Sequence, residues 1–184
     1  MKNLILASAS PRRRELLSLF GIPFTVRVAD IDEAMDPTKS PCDEVARVSC
    51  RKALAVERGP EDVVVAADTI VVCAGRVLGK PHSREEAVAM LQLLSGREHQ
   101  VMTGCTVLCG DRRETFTEVT DLTFRPLSEA EIRRYVASGE PMDKAGAYGI
   151  QEWIGMVAVE GIKGSYFNVV GLPIQRLYQR LKTF

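Results

Sequence analysis

The chain has 184 residues, and its 24 Lys plus Arg balance 24 Asp plus Glu, so the formal net charge is zero. That balance argues against a general binder of nucleic-acid polymers, which would carry a basic excess. No 18-residue apolar run offers a membrane span, and "MKNLILASAS" lacks the apolar core and cleavage site of a signal peptide. The length reads as a single domain over residues 1–184, large enough to bury about 70% of its unfolded surface without disulfides. A soluble, cytoplasmic protein is the expectation.

In chain order, "LILAS" (4–8) reads as a short buried strand that runs into a helix. Ser10 stands at the N-cap and Pro11 at the first helical position, which puts Arg12, Arg13 and Arg14 in the first turn. That helix end carries positive partial charge, so three cations there call for an anion. "FTVRVADID" (24–32) predicts a second strand ending in an acidic cluster. "SPCDEVARVSCRKALAVERG" predicts a helix with Ser40 at its N-cap, Asp43 in a capping-box place and Gly59 at its stop.

"EDVVVAADTIVVCAGRVLGKP" holds the most apolar strand, with Asp68 in its middle or at a break. "SREEAVAMLQLLSG" repeats the cap grammar with Ser83, Glu86 and Gly96. "HQVMTGCTVLCGDRRETFTEVTDLTF" predicts two strands joined at Gly110-Asp111, and "SEAEIRRYVASG" a further capped helix. Strands around 155–170 and a final helix from Pro173 complete the chain. The interleaving, with a long central strand pair, predicts an α/β or α+β fold with a mixed sheet flanked by helices and a cleft.

The five cysteines do not form a framework. Cys105 and Cys109 fall about 13 Å apart on one strand, and Cys42 and Cys50 lie two turns apart on one helix. They read as packing residues. "GRVLGKP" resembles a P-loop, but its glycines are one residue too close and Pro81 replaces the Ser or Thr. No dinucleotide, serine-hydrolase or zinc-protease motif is present.

Four features carry chemistry. The turn of Ser8, Ala9 and Ser10 before the arginine helix offers free N–H groups and hydroxyls that suit phosphate, and Arg adds a planar fork. Arg14 is the arginine expected to face solvent. Asp68, after five strand-like residues, needs a metal, a lysine or backbone donors as its partner, unless it only caps a turn. Glu33, with Asp30 and Asp32, offers hard oxygen for Mg²⁺ or Mn²⁺, or else belongs to a solvated loop. Lys52 and Lys80 are candidates for phosphate, or surface lysines. "DKAGAYGIQEW" (143–153) combines glycines that allow close backbone approach with the Gln151 amide and the sole Trp, Trp153. It reads either as a turn followed by an ordinary strand or as a wall that reads a base edge. Together these features point to a nucleotide substrate.

"LASASPRRRELL" (6–17), "AADTIV" (66–71), "GKP" (79–81), "LLSGREHQVMTG" (93–104), "DKAGAYGIQ" (143–151) and "GSYFNVVGLP" (164–173) resemble, in this order, the Maf family of nucleotide pyrophosphatases. The resemblance spans the chain. It implies hydrolysis of a nucleoside triphosphate to the monophosphate and pyrophosphate with a divalent cation. The implied fold is an elongated mixed sheet with two lobes and a central cleft, akin to inosine triphosphate pyrophosphatases, in cytoplasmic house-cleaning enzymes associated by name with septum formation. It assigns the catalytic Asp to Asp68 and substrate choice to Arg12, Thr69 and Gln151. Ser8, Arg13, Glu33, Lys52 and Lys80 match positions that line the same cleft, and Asp68 and Glu33 are the expected metal ligands.

One branch of that family carries Gln in the "GIQ" position and prefers dTTP and UTP; another carries Glu nearby and prefers 7-methyl-GTP. An amide pairs with the O4 acceptor and N3–H donor of uracil or thymine together, whereas a carboxylate suits guanine donors. Gln151 therefore points to pyrimidines, damaged or modified ones included. A strand register shifted by one would present Glu152 instead. A nucleotide-binding regulator of cell division is the rival, and an RNA-binding module is disfavoured by the zero charge and 6% aromatic content. A homodimer is the default oligomer.

Overall fold

The computed structural model describes residues 3–184; Met1 and Lys2, part of the amino-terminal stretch read above, lie outside it. Its elements are β1 (Leu4–Leu6), α1 (Pro11–Ser18), β2 (Phe24–Val26), α2 (Pro41–Ala55), β3 (Val63–Cys73), β4 (Arg76–Leu78), α3 (Arg84–Leu94), β5 (Glu98–Cys109) and β6 (Arg112–Phe124). They are followed by α4 (Glu129–Ala137), two 3-10 turns (Glu140–Asp143 and Ala145–Ala147), α5 (Trp153–Ala158), β7 (Val159–Lys163), α6 (Tyr166–Val170) and α7 (Ile174–Leu181).

The sheet is mixed, as expected. Its strand order is β2-β1-β3-β5-β6-β7, with β4 also paired to β3. β1 lies parallel to both β2 and β3, while β3–β4 and β6–β7 are antiparallel. The apolar run of β3 explains its length: most of its positions are buried, and Asp68 sits inside the strand rather than at a break. No helix among the described residues is long and apolar enough to cross a membrane.

The chain divides into two compact units. The first comprises the chain up to Thr69, Thr103–Glu118 and Gly171–Phe184. Ile5 of β1, Ala7 just after it, and Val64 and Ala66 of β3 pack there with Ala53 of α2, with Val56 just beyond that helix and with Leu108 of β5. The second comprises Ile70–Met102 and Val119–Val170. In it the apolar faces of α3 and α4 pack together, led by the fully buried Leu91, Leu94 and Ile132.

Several local expectations need correction. The strand expected over 24–32 stops at Val26; the acidic residues beyond it are poor strand formers, and the segment that follows is tied to α2 at Ala34 and Asp36. Ser40 caps α2 through its backbone carbonyl, which accepts from Asp43 and Glu44, and its hydroxyl makes no capping bond. α2 ends at Ala55, short of Gly59, since Val56 turns extended and enters the core. By contrast Ser128 and Glu131 form the full reciprocal capping box of α4. Ser83 accepts from Glu86 N–H, but the Glu86 carboxylate reaches His82 N–H instead of the cap. The segment expected as strands around 155–170 is α5, β7 and α6.

All five cysteines are free thiols; Cys73 and Cys105 are buried and the other three half-buried. Burial pushes the Cys105 thiol up to about 12, which fits a packing role. His99, also buried, shares a 2.9 Å hydrogen bond between Nε2 and the Tyr148 hydroxyl and meets the Phe124 ring edge-on at 4.7 Å. Its imidazole is pushed down from 6.5 to about 4 by burial, against a smaller opposing effect of the Arg97 carbonyl. The fold therefore holds His99 neutral, while the unfolded chain takes up a proton below pH 6.5. Stability from this source is full above pH 6.5 and is lost as the pH falls toward 4. The expected loss at pH 5 is roughly 2 kcal/mol, visible as a lower urea midpoint than at pH 7 and absent in His99→Gln.

Candidate functional site

The three arginines of α1 separate by direction. Ser10 is the N-cap, and its hydroxyl accepts from Arg13 N–H at 3.4 Å. Arg14 is exposed, as expected, and Arg12 is half-buried. Arg13 turns into the protein with only 9% of its surface exposed. There it donates to Ser8 Oγ (3.2 Å), Thr69 Oγ1 (2.8 Å) and the Gly171 carbonyl (2.8 Å). Thr69 Oγ1 in turn shares a 2.9 Å hydrogen bond with Thr103 Oγ1. The guanidinium thus joins the loop after β1, the middle of β3 and the segment before α7. Gly171 has a φ of +122°, a conformation that favours glycine, and this turns its carbonyl toward Arg13.

None of Arg13's three hydrogen-bonded acceptors is charged, so its charge is compensated at longer range. Burial lowers its affinity for the proton, opposed mainly by the charge of Asp68. Three of its five N–H donors are committed to these oxygens. The other two have no protein acceptor among the described residues.

Asp68, 9% exposed, finds the lysine that its burial called for. Lys52 Nζ, in the last turn of α2, lies 2.7 Å from Asp68 Oδ1 and 2.9 Å from Glu33 Oε2. The Lys52 and Asp68 side chains are 14% and 12% exposed, whereas Glu33 is 55% exposed. One ammonium therefore bridges two carboxylates, and each carboxylate keeps a second oxygen outside that contact.

Glu33 belongs to the irregular segment 27–40, which α2 anchors. The Glu44 carboxylate accepts from Asp36 N–H at 2.7 Å and from two nitrogens of Arg47, and Arg47 also donates to the Ala34 carbonyl at 2.7 Å. The Arg47 hydrogen bonds and the Asp36 N–H hold the Glu44 carboxyl below its usual range. The acidic stretch is therefore a tethered loop. α2 itself is seated on β5 at Gly104, where an added Cβ would stand 2.3 Å from the Val45 carbonyl oxygen. That close approach fixes the helix carrying Lys52.

In the second unit, Lys80 is exposed in the "GKP" turn after β4. The preceding Gly79 carbonyl accepts from Gly146 N–H at 3.0 Å, so the "GKP" and "DKAGAYGIQ" segments are neighbours. Gly146 has φ +68°, and a Cβ there would stand 2.8 Å from Val71 Cγ2. Gln151 is exposed in a turn that leads into α5, so the strand expected there, and with it the question of strand register, does not arise. Glu152 points to Tyr135 and Lys144, with Nζ of Lys144 2.6 Å from Oε1. The Trp153 ring carries the Arg134 guanidinium 4.7 Å above its centroid.

Sequence reasoning assigned no role to Thr103, Tyr135, Lys144 or the Gly171 carbonyl. Thr103, Lys144 and Gly171 fall within quoted motif stretches, which was their only signal; nothing marked Tyr135. As to metals, no group of three or more His, Cys, Asp or Glu side chains converges among the described residues. Asp68 and Glu33 remain as hard oxygen donors. Two carboxylates completed by water and phosphate oxygens make a donor set that suits Mg²⁺.

Residues 3–184 match the family described as Maf-like protein. A protein of Bacillus anthracis (strain CDC 684 / NRRL 3495) named dTTP/UTP pyrophosphatase is 50% identical over 185 aligned residues, covering 100% of this chain and 96% of that protein. One of Bacillus cereus (strain ATCC 10987 / NRS 248) with the same name is also 50% identical, covering 100% and 91%. Among solved structures, the Ham1 protein of Staphylococcus aureus superposes with a TM-score of 0.53 at 18% identity, covering 99% of both chains. A HAM1 protein from Coxiella burnetii gives 0.52 at 16%, covering both chains fully. The fold is that of the Ham1 proteins, a mixed sheet flanked by helices. The chain belongs to the Maf family.

Arg13→Lys tests the buried guanidinium. An ammonium has no planar fork to serve Ser8, Thr69 and Gly171 together, so the variant should lose about 1–3 kcal/mol of stability in denaturant titration.

Proposed function

We propose that this protein is a nucleoside triphosphate pyrophosphatase that hydrolyses dTTP and UTP, modified pyrimidine nucleotides included, to the monophosphate and pyrophosphate in the cytoplasm. The observation that carries the reading is the Asp68–Lys52–Glu33 group, two carboxylates about one ammonium, in the same unit as buried Arg13. Relatives half-identical over the whole chain and named dTTP/UTP pyrophosphatase support the substrate class.

In this reading Asp68 and Glu33 would hold a Mg²⁺ or Mn²⁺ ion. Bound there, such an ion neutralises triphosphate charge and makes water a better nucleophile. Asp68 accepts a proton from the attacking water. The water oxygen bonds to the α-phosphorus, the bond from that phosphorus to the α–β bridging oxygen breaks, and pyrophosphate leaves with the electron pair. Ser8 and the two uncommitted N–H donors of Arg13 bind phosphate oxygens. Lys52 and Lys80 neutralise the triphosphate and the departing pyrophosphate. Arg12 and Thr69 act in substrate choice, and Thr69 orients Arg13 as well. The Gln151 amide reads O4 and N3–H of the pyrimidine. Glu152 is unsuited to reading a base, since Tyr135 and Lys144 occupy its carboxylate.

The test is pyrophosphate release by the purified protein with Mg²⁺ or Mn²⁺ across dTTP, UTP, CTP, GTP and 7-methyl-GTP. Turnover of dTTP and UTP is expected. Asp68→Asn should lower it by roughly a thousandfold or more while the urea midpoint shows a folded protein. No turnover of any nucleotide by the folded native protein would refute the enzyme reading. Gln151→Glu should cut kcat/KM for dTTP more than for GTP by about tenfold, since it replaces a donor–acceptor pair with two acceptors. An unchanged preference would remove Gln151 from base recognition.

A further inference from the structure

Gln151 is an exposed side chain on a turn whose neighbours are unusually constrained. Tyr135 of α4 is 2% exposed, and its hydroxyl accepts from Gly149 N–H at 3.2 Å while donating to Glu152 Oε2. Lys144 Nζ holds the other carboxylate oxygen at 2.6 Å and also donates to the Glu140 carbonyl (2.6 Å) and Asp143 (2.6 Å). Gly149 leaves no space beside this group: a Cβ would stand 2.7 Å from Glu152 Cδ and 2.9 Å from Lys144 Cε. On the far side, a Cβ at Gly155 would stand 2.1 Å from the Ile150 carbonyl oxygen. The backbone on both sides of Gln151 is thus fixed, through one phenol and one largely buried ion pair.

A buried ion pair is a poor source of net stability, because desolvation offsets the attraction. What it does supply is geometry. Burial first, and then the Glu152 carboxylate, raise the Tyr135 phenol far above its usual range, so it remains a donor at any working pH.

We propose that Tyr135 is a positioning residue for Gln151: acting through Gly149 and Glu152, it sets the amide's direction and thereby the pyrimidine preference, without contact with the nucleotide. This rests on the reading of Gln151 as the base-reading group given above. An amide must align a donor and an acceptor at once with O4 and N3–H, so a rotation of the turn weakens pyrimidine binding selectively. Guanine offers the same donor–acceptor pair at O6 and N1–H, but on a larger ring system that does not bring it to the place of the pyrimidine edge, so GTP turnover is indifferent to that rotation.

The experiment measures kcat/KM for dTTP and GTP in the full chain with Tyr135→Phe, Gln151→Ala and the double variant. Glu152→Gln serves as a second disruption of the same link, and urea midpoints report folding. Tyr135→Phe should lower the dTTP-to-GTP ratio about tenfold with GTP turnover unchanged. It should cause no further fall in the Gln151→Ala background, the non-additivity expected of residues acting as one unit. Hydrogen exchange at the Gly149 amide should quicken in Tyr135→Phe. Equal losses for dTTP and GTP, an unchanged ratio, or additive effects in the double variant would each overturn the proposal and leave Tyr135 a packing residue. If Gln151→Ala itself leaves the ratio unchanged, the base-reading assignment fails and the proposal falls with it; Gly149 exchange then shows whether the tether exists at all.

Discussion

The first unit depends on one buried cation. Arg13 enters from the first turn of a helix, where cations are disfavoured, and reaches a serine, a threonine and a backbone carbonyl that are far apart in the sequence. A guanidinium can do this because its donors radiate in a plane from one rigid group. Each acceptor satisfies one direction, and the chain around each is held where that direction requires. The arrangement orders Thr69 beside Asp68, and Asp68 is the group that Lys52 ties to Glu33.

The electrostatics of that unit then close on a small scale. Arg13 and Lys52 bring two positive charges, Asp68 and Glu33 two negative ones. Three members of this group, Arg13, Lys52 and Asp68, are largely buried while Glu33 faces solvent, and the pairing offsets the penalty of isolated ions. A triphosphate with a divalent ion brings several charges of both signs, and a paired set can re-partner with them more readily than a set of one sign. The net neutrality of the whole chain is repeated locally where the chemistry is proposed.

How much of this the sequence disclosed depends on the range of each contact. Ser10, Pro11 and the Ser128–Glu131 box were legible because capping involves residues three apart. The run of β3 announced a buried strand, and an aspartate within it announced a partner, though not which one. The anchoring contacts of Arg13 are not legible in the sequence, since its acceptors include Gly171, 158 residues away. The sequence marks Gln151 by its amide but not by its setting: Tyr135 and Lys144 tie the turn at Gly149 and Glu152, contacts that local patterns do not encode. The loop after β2 reads as strand for the same reason, since its path follows Glu44 and Arg47 on the next helix.

Gly104 shows how the fold constrains its own descent. Its hydrogen is the only substituent that fits beneath the Val45 carbonyl, and that carbonyl belongs to the helix presenting Lys52. The obstacle at Val45 is backbone, so no change of residue there can make room. Drift in this part of the chain can accumulate on the solvent side of the helix, whereas position 104 stays closed to any larger residue. Lineages that retain the Lys52 geometry would then carry this glycine as a silent companion of the chemistry, preserved for the space it leaves empty.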